Sequence, residues 1–297
     1  MMIKASTSRK AFVALNTLIL TLITLLCVIP LIHLLAVSLS TNTYAMAGQV
    51  GLWPKGFTFS AYSFLSARSS FTSSLLISIQ RVMLGTVINM VLCVITAYPL
   101  SRDSAQFRMR TAYVWYFAIT MFFGGGLVPT YLVVTMTGIG NSIWALVLPN
   151  ALNVWNMVMM LNFFRGIPKS LEEAARLDGA GHLKTLLHVY LPLSLPSLAT
   201  VLLFTVVGHW NAWFDGFIYM NSPTRYPLQT YLSTMVMNSA LLSKNFITQE
   251  ELERLKLVNE KTLRTAQIFL GALPIMCVYP FLQRYFIKGI VLGSVKE

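Results

Sequence analysis

One acid and a set of amides stand in this sequence where the surrounding residues are otherwise apolar. Asp215 is the sole acidic residue within the long apolar stretches. An ionisable group at such a depth marks a site by default, because a charge in an apolar medium needs a partner or water. Gly208, Asn211 and Asp215 recur at i, i+3 and i+7, which places them on one face of a helix, with Trp210 and Trp213 beside them. Asn150, Asn153 and Asn156 recur at every third residue, and at about 100° per residue they spread over an arc of about 120°. Three amides on one side of a helix either bond neighbouring helices or line a path and meet the hydroxyls of a solute. Asp215 has a similar pair of readings: a path residue, or an acid near the outer interface paired with an arginine or water. No Gly-x-x-x-x-Gly-Lys-Ser/Thr run is present, so the usual phosphate-binding loop is missing. No Ser/His/Asp grouping or metal-ligand spacing suggests an enzyme.

The other informative stretch is 173–192, a charged insert in a lipid-like sequence. Ser170 and Glu173 have the Ser-x-x-Glu spacing of a capping box, which predicts a helix starting at Leu171. Gly179 can take the left-handed conformation that closes a helix, leaving a short helix of about 8 residues, roughly 12 Å. Leu183, Leu186 and Leu187 then recur at helical spacing until Pro192, which predicts a second short helix. Two short helices therefore meet at a glycine elbow.

The elements that must carry these residues belong in a bilayer. Of 297 residues 56% are apolar and only 11% charged, and the mean hydropathy is +0.65, too apolar for a soluble domain of this size. The net charge of +12 does not indicate nucleic acid, because Lys and Arg sit at the ends of apolar runs instead of clustering with aromatics. Cys27, Cys93 and Cys277 fit neither a disulfide frame nor a zinc site by number or spacing and read as small hydrophobes.

The expected fold is all-α: a polytopic membrane protein forming a single domain over 1–297, with six transmembrane helices and a cytoplasmic two-helix loop at 166–192. Since one span needs about 20 residues, the spans are expected at about 11–39, 75–100, 111–136, 143–164, 194–219 and 265–283. The first apolar run is about twice the length of a signal-peptide core, so it reads as a retained span. Arg81, near the outer end of the second span, is expected to snorkel to the headgroups. In the third, Gly124, Gly125 and Gly126 with Pro129 favour either a kink or partial unwinding, or close packing through small residues. Residues 221–262 form an extracytoplasmic segment in this topology. Thr248 and Glu251 form a capping box there, and Leu252, Leu255 and Val258 mark a surface helix. Thirteen of the 22 Lys and Arg residues fall on the side holding both termini, the 101–110 loop and the 166–192 loop, which makes that side cytoplasmic.

Glu173-Ala174-Ala175, with Gly179 after three residues and Val189, Leu191 and Pro192 beyond, resembles the signature loop of permease subunits in binding-protein-dependent ABC importers. Three further stretches are similar to carbohydrate-uptake permeases of the oligosaccharide and alginate branch, related to maltose permeases. They are Trp210-Asn211-Ala212-Trp213 with Asp215, the run from Phe122 to Gly126 with Pro129-Thr130-Tyr131, and the Trp53-Pro54-Lys55-Gly56-Phe57 loop. The resemblance implies that Glu173, Ala174, Ala175, Gly179, Leu191 and Pro192 dock into a cleft on an ATPase subunit. It also implies a homologous second permease, two ATPase subunits, an extracytoplasmic solute-binding protein and transport by alternating access in a bacterial inner membrane. This chain would be no enzyme and hold no cofactor, ATP and Mg being bound by the partner. Asn150, Asn153, Asn156, Trp210, Asn211, Trp213 and Asp215 are the expected substrate path, where the tryptophans serve as sugar-stacking surfaces or as interface anchors. The rivals are an ion-coupled secondary transporter with Asp215 and the glycine-broken third span as its coupling site, an ABC permease for a non-sugar solute, and a structural membrane-assembly protein.

Overall fold

The structure, a computed structural model, describes residues 7–67, 69–237 and 259–294. The cap at Thr248 and Glu251 and the helix expected around Leu252, Leu255 and Val258 lie outside them. Among the described residues every regular element is helical, and the one β feature is an isolated antiparallel bridge between Ser40 and Phe57.

In chain order the helices are α1 (Thr7–Ser38), α2 (Asn42–Met46), α3 (Ser60–Ser66), α4 (Ser69–Ser101), α5 (Arg110–Phe122), α6 (Leu127–Met136), α7 (Ile143–Val147), α8 (Val154–Arg165) and α9 (Lys169–Leu177). There follow α10 (His182–Thr185), a π turn (Leu186–Tyr190), α11 (Leu191–Leu193), α12 (Leu195–Asn211), α13 (Phe214–Tyr219), α14 (Leu228–Met237) and α15 (Glu260–Ser294). Three stretches, Ser8–Ser38, Ser69–Ser101 and Glu260–Pro280, are each long and apolar enough to cross a membrane; three bent pairs meet the same condition jointly, for as many as six.

The expected spans are more broken than periodicity implied. The third is two helices, α5 and α6, at 113°. Between them Gly126 sits at φ +82°, a conformation that a side chain disfavours, so unwinding prevails over simple close packing. The fourth divides into Ile143–Asn150, ending in a 3-10 turn that contains Pro149, and α8, with 47° between them. Pro192 does not end the second short helix: His182–Leu193 runs through it and meets α12 at 82°. Leu191 N–H reaches back to the Leu186 carbonyl across the π turn. The last helix begins at Glu260 rather than near 265, because Asn259 and Thr262 cap it reciprocally, Thr262 N–H donating to Asn259 Oδ1 at 2.7 Å and Asn259 N–H to Thr262 Oγ1 at 3.3 Å.

The chain divides into two compact units, Met1–Ser69 with Met235–Leu273, and Ser70–Thr234 with Pro274–Glu297. In the first unit, α1 runs for 32 residues, roughly 48 Å, with its apolar side chains exposed over most of its length. Its end is buried where Ala36 and Val37 meet Ala45 and Val50. Ala61, Phe64 and Leu65 of α3 pack against Leu263 and Ala266 of α15.

The second unit carries the candidate site. Its main core joins Cys93, Ala97, Tyr98 and Leu100 of α4 to Met157, Met160, Leu161 and Phe164 of α8, with Leu186, Tyr190 and Val201. Every fourth residue of α4 from Arg81 (Gly85, Asn89, Cys93 and Ala97) is buried, and small residues in such a stripe let helices approach closely. At Gly85 the approach is close: a Cβ there would lie 2.4 Å from Nε2 of the buried His209 on α12. Of the three cysteines only Cys93 is a core residue; Cys27 and Cys277 are exposed.

Candidate functional site

The insert at 166–192 forms the two short helices foreseen, but it starts differently. Pro168 is the N-cap of α9 and no side chain caps it. The Ser170–Glu173 capping box is therefore not formed. Proline holds φ near −65° and pushes the residue before it to extended conformations, so the helix can begin directly at Lys169, with Ser170 inside the first turn. The far end matches the expectation. Gly179 has φ +74°, with Gly179 N–H donating to the Arg176 carbonyl at 3.0 Å and Ala180 N–H to that of Ala175 at 2.9 Å, the paired bonds of a Schellman closure.

Adjacent acids on α9 face different ways, as a turn of about 100° per residue requires. Glu173 is exposed, as are Ala174, Gly179 and Pro192, while Ala175 and Leu191 are half-buried. Glu172 is buried. It meets the buried Arg102 guanidinium, pairs with Arg176 at 2.7 Å and accepts a hydrogen bond from the Tyr190 hydroxyl at 2.9 Å. Two surface contacts repeat the link between α9 and the chain after α4. Lys169 Nζ lies 2.5 Å from Asp103 Oδ2, and Arg176 donates to Gln106 at 3.3 Å. The Lys169 hydrogen bond and charge hold the Asp103 carboxyl below its usual range. The element also leaves two leucines exposed, Leu177 at 90% and Leu183 at 69%.

The intramembrane polar groups are arranged otherwise than the helical wheel implied. Arg81 does not snorkel: it is 1% exposed. It forms a buried ion pair with Asp215, with one bond at 3.0 Å to Oδ1, and donates to the Ala212 carbonyl at 2.9 Å. The single face of Gly208, Asn211 and Asp215 does not exist, because α12 stops at Asn211, Ala212 is extended (ψ 118°) and Asp215 belongs to α13. Asn211 is exposed, Trp210 buried and Trp213 half-buried, its ring set edge-on to Phe214. The arc of asparagines is likewise broken. Asn150 lies exposed in the 3-10 turn, while Asn153 is the N-cap of α8 and accepts from Asn156 N–H at 3.2 Å. Asn156 is buried and donates to Thr205 Oγ1 at 3.1 Å; that hydroxyl donates to Asn89 Oδ1 at 3.0 Å, and Asn89 donates to the Ala151 carbonyl at 3.0 Å. Asn156 thus bonds neighbouring helices.

Arg81, Asn89, Thr205, Glu172 and Arg102 were not singled out as site residues by spacing. The fourfold stripe on α4 held a usable signal for the first two, and the doubled acid at 172 and 173 for Glu172.

Broken apolar helices, buried polar links between them and one exposed, charge-braced two-helix element suit a membrane subunit that meets a partner. The chain belongs to the family of binding-protein-dependent transport system inner membrane components, whose model matches residues 3–291. It is therefore a multi-pass inner-membrane permease subunit, which sets aside the secondary-transporter and structural-assembly rivals. It is similar to the polygalacturonan/rhamnogalacturonan transport system permease protein YtcP of Bacillus subtilis, 37% identical over 92% of this chain and 93% of the relative. It is also similar to protein LplC of the same species, at 34% over 97% and 95% of the two chains. Among solved structures, a chain of a bacterial ABC transporter involved in the import of the acidic polysaccharide alginate superposes with a TM-score of 0.84. That match has 30% identity and covers 96% of this chain and 100% of the other. The resemblance to the oligosaccharide and alginate branch is borne out.

Proposed function

We propose that this chain forms half of the translocation path of an ATP-driven importer for an oligosaccharide or polysaccharide, with an acidic sugar polymer favoured. Its relatives' names support the solute class, since polygalacturonan and alginate are both polyuronates. The partners in this reading are a homologous second permease, two ATPase subunits that bind ATP and Mg, and an extracytoplasmic solute-binding protein. Both termini and the α9–α11 element face the cytoplasm, in keeping with the distribution of Lys and Arg.

The observation that carries the reading is α9 itself. A nine-residue helix too short to be stable alone is held rigidly from behind by Glu172, while Glu173, Leu177 and Leu183 stand exposed on the element. That arrangement suits docking into a partner's cleft, with Glu173, Ala174, Ala175, Gly179, Leu191 and Pro192 as the coupling residues. For the path, the exposed Asn150, Asn153 and Asn211 and the half-buried Trp213 are the groups a solute could meet. Asn156, Trp210 and the charge-compensated Asp215 act through packing.

Co-purification tests the assembly: the chain carrying an affinity tag should bring the ATPase and second permease out of the membrane. The reconstituted complex should hydrolyse ATP faster with binding protein loaded with oligogalacturonides or alginate oligosaccharides than with maltodextrins. Stimulation by neutral sugars alone would reject the acidic class, and absence of an ATPase partner would reject the importer.

A further inference from the structure

The buried side of α9 ends in a charged node. Arg102, 7% exposed, lies 4.4 Å from the centre of the Tyr98 ring and 5.2 Å from that of Tyr190, and it also donates to the Tyr98 hydroxyl. That hydroxyl donates to the His182 carbonyl at 3.1 Å, and the Tyr190 hydroxyl donates to Glu172. The cation is thus enclosed by two aromatic rings and a carboxylate. One node joins the end of α4, α9, the start of α10 and the π turn.

Burying such a pair gives little stability that well-packed apolar residues could not give; fixing geometry is the better-attested use of a buried ion pair. The geometry fixed here is that of α9 against α4. α4 is a continuous helix of 33 residues, roughly 50 Å long, that carries Asn89 and Arg81 on the buried stripe leading away from the node. We propose that Glu172 and Arg102 are positioning residues forming the joint by which a displacement of α9 is passed to α4 instead of being lost in bending of the 102–109 loop. This rests on the reading of α9 as the docking element, but assigns the joint to residues on the face opposite to Glu173.

A solute-independent experiment tests it. In the assembled importer, with Cys27, Cys93 and Cys277 replaced, a bimane fluorophore is placed on single cysteines at Met83, Val87, Val91 or Ile95, all exposed on α4. Emission is compared between nucleotide-free and ATP–vanadate states. The joint predicts a nucleotide-dependent shift at one or more of these positions. In Glu172→Gln, and in Tyr190→Phe, which keeps the ring, the shift should fall by more than half while the ATPase still co-purifies and hydrolyses ATP. A full shift in both variants, no shift in the parent protein, or loss of the assembled complex in both variants overturns the proposal, the last by making the node merely structural. Glu173→Gln separates the two readings. If it leaves ATPase association and the shift intact, the docking assignment itself fails; if it abolishes them while Glu172→Gln and Tyr190→Phe do not, only the joint fails.

Discussion

Asp215 and Arg81, 134 residues apart in sequence, close on one another through two hydrogen bonds, and the same guanidinium caps the carbonyl of Ala212 where α12 gives way to α13. The one acid of the apolar stretches is therefore compensated, and its partner anchors a break in the helix. Arg81→Met should destabilise the protein by about 1–3 kcal/mol, because it takes the charge partner from a carboxylate that is only 16% exposed, whereas Arg81→Met with Asp215→Leu should recover much of the loss. Thermal unfolding in detergent, followed by size-exclusion chromatography, reads both. Equal destabilisation in the single and double variants would mean that the pairing is not what holds this junction.

A second test concerns the approach of α4 to α12. With a Cβ at residue 85 placed 2.4 Å from the His209 ring, Gly85→Ala should cost about 1–3 kcal/mol by overpacking. Gly208→Ala is the control: nothing lies within 4 Å of that position, and a helical alanine is favoured over glycine by up to about 1 kcal/mol. Melting temperatures of the two variants should move in opposite directions.

The path assignment separates exposed amides from buried ones. Asn211→Ala should leave stability within about 0.5 kcal/mol and lower solute-stimulated ATP hydrolysis several-fold, since one lost net hydrogen bond is worth about 0.5–1.5 kcal/mol. Asn156→Ala should do the reverse: it strips a partner from Thr205 in a buried chain of hydrogen bonds, at about 1–3 kcal/mol. Paired stability and ATPase measurements distinguish the two patterns.

How much of this was legible beforehand depended on the range of the interaction. Gly179 could be read because a left-handed closure is a local demand that glycine meets best; at Gly124–Gly126 a break and close packing both fit the sequence, and the φ of +82° at Gly126 decides for the break. The Ser170 cap does not form because Pro168, two residues before it, starts the helix without any side-chain cap. The asparagine arc and the face of Asp215 failed for a different reason. A helical wheel presumes an unbroken helix, and Pro149, Asn153 and the extended Ala212 interrupt it. The partners of Asp215 and Glu172 come from distant parts of the chain, and no spacing rule reaches that far.

The exposed clasp between Lys169 and Asp103 yields a pH prediction. Lys169 lowers the Asp103 pKa in the folded state, so its contribution to stability is complete above the unfolded value of about 3.9. It is lost as pH falls through the lower folded value. Asp103→Asn should therefore differ slightly from the parent protein at neutral pH and converge with it in strong acid. Thermal unfolding of both proteins from about pH 1.5 to 8 checks this, and a difference that grew on acidification would contradict the assigned direction.

The central claim is that the α9 element couples the chain to an ATPase, and Glu173 now tests it cleanly. No cap depends on its carboxylate, so Glu173→Gln should fold and insert normally. If Glu173 meets a basic or hydroxyl group of the partner, the substitution removes a charge-assisted contact worth about 1.5–3 kcal/mol, a factor of roughly ten to a hundred. Gly179→Ala should reach the same phenotype through geometry, since a side chain is penalised at positive φ by about 1 kcal/mol or more. The decisive measurement is ATP hydrolysis by the reconstituted complex, with and without solute-loaded binding protein. Coupling predicts that both variants bind that protein but lose most of the stimulation. Full stimulation in both would contradict it.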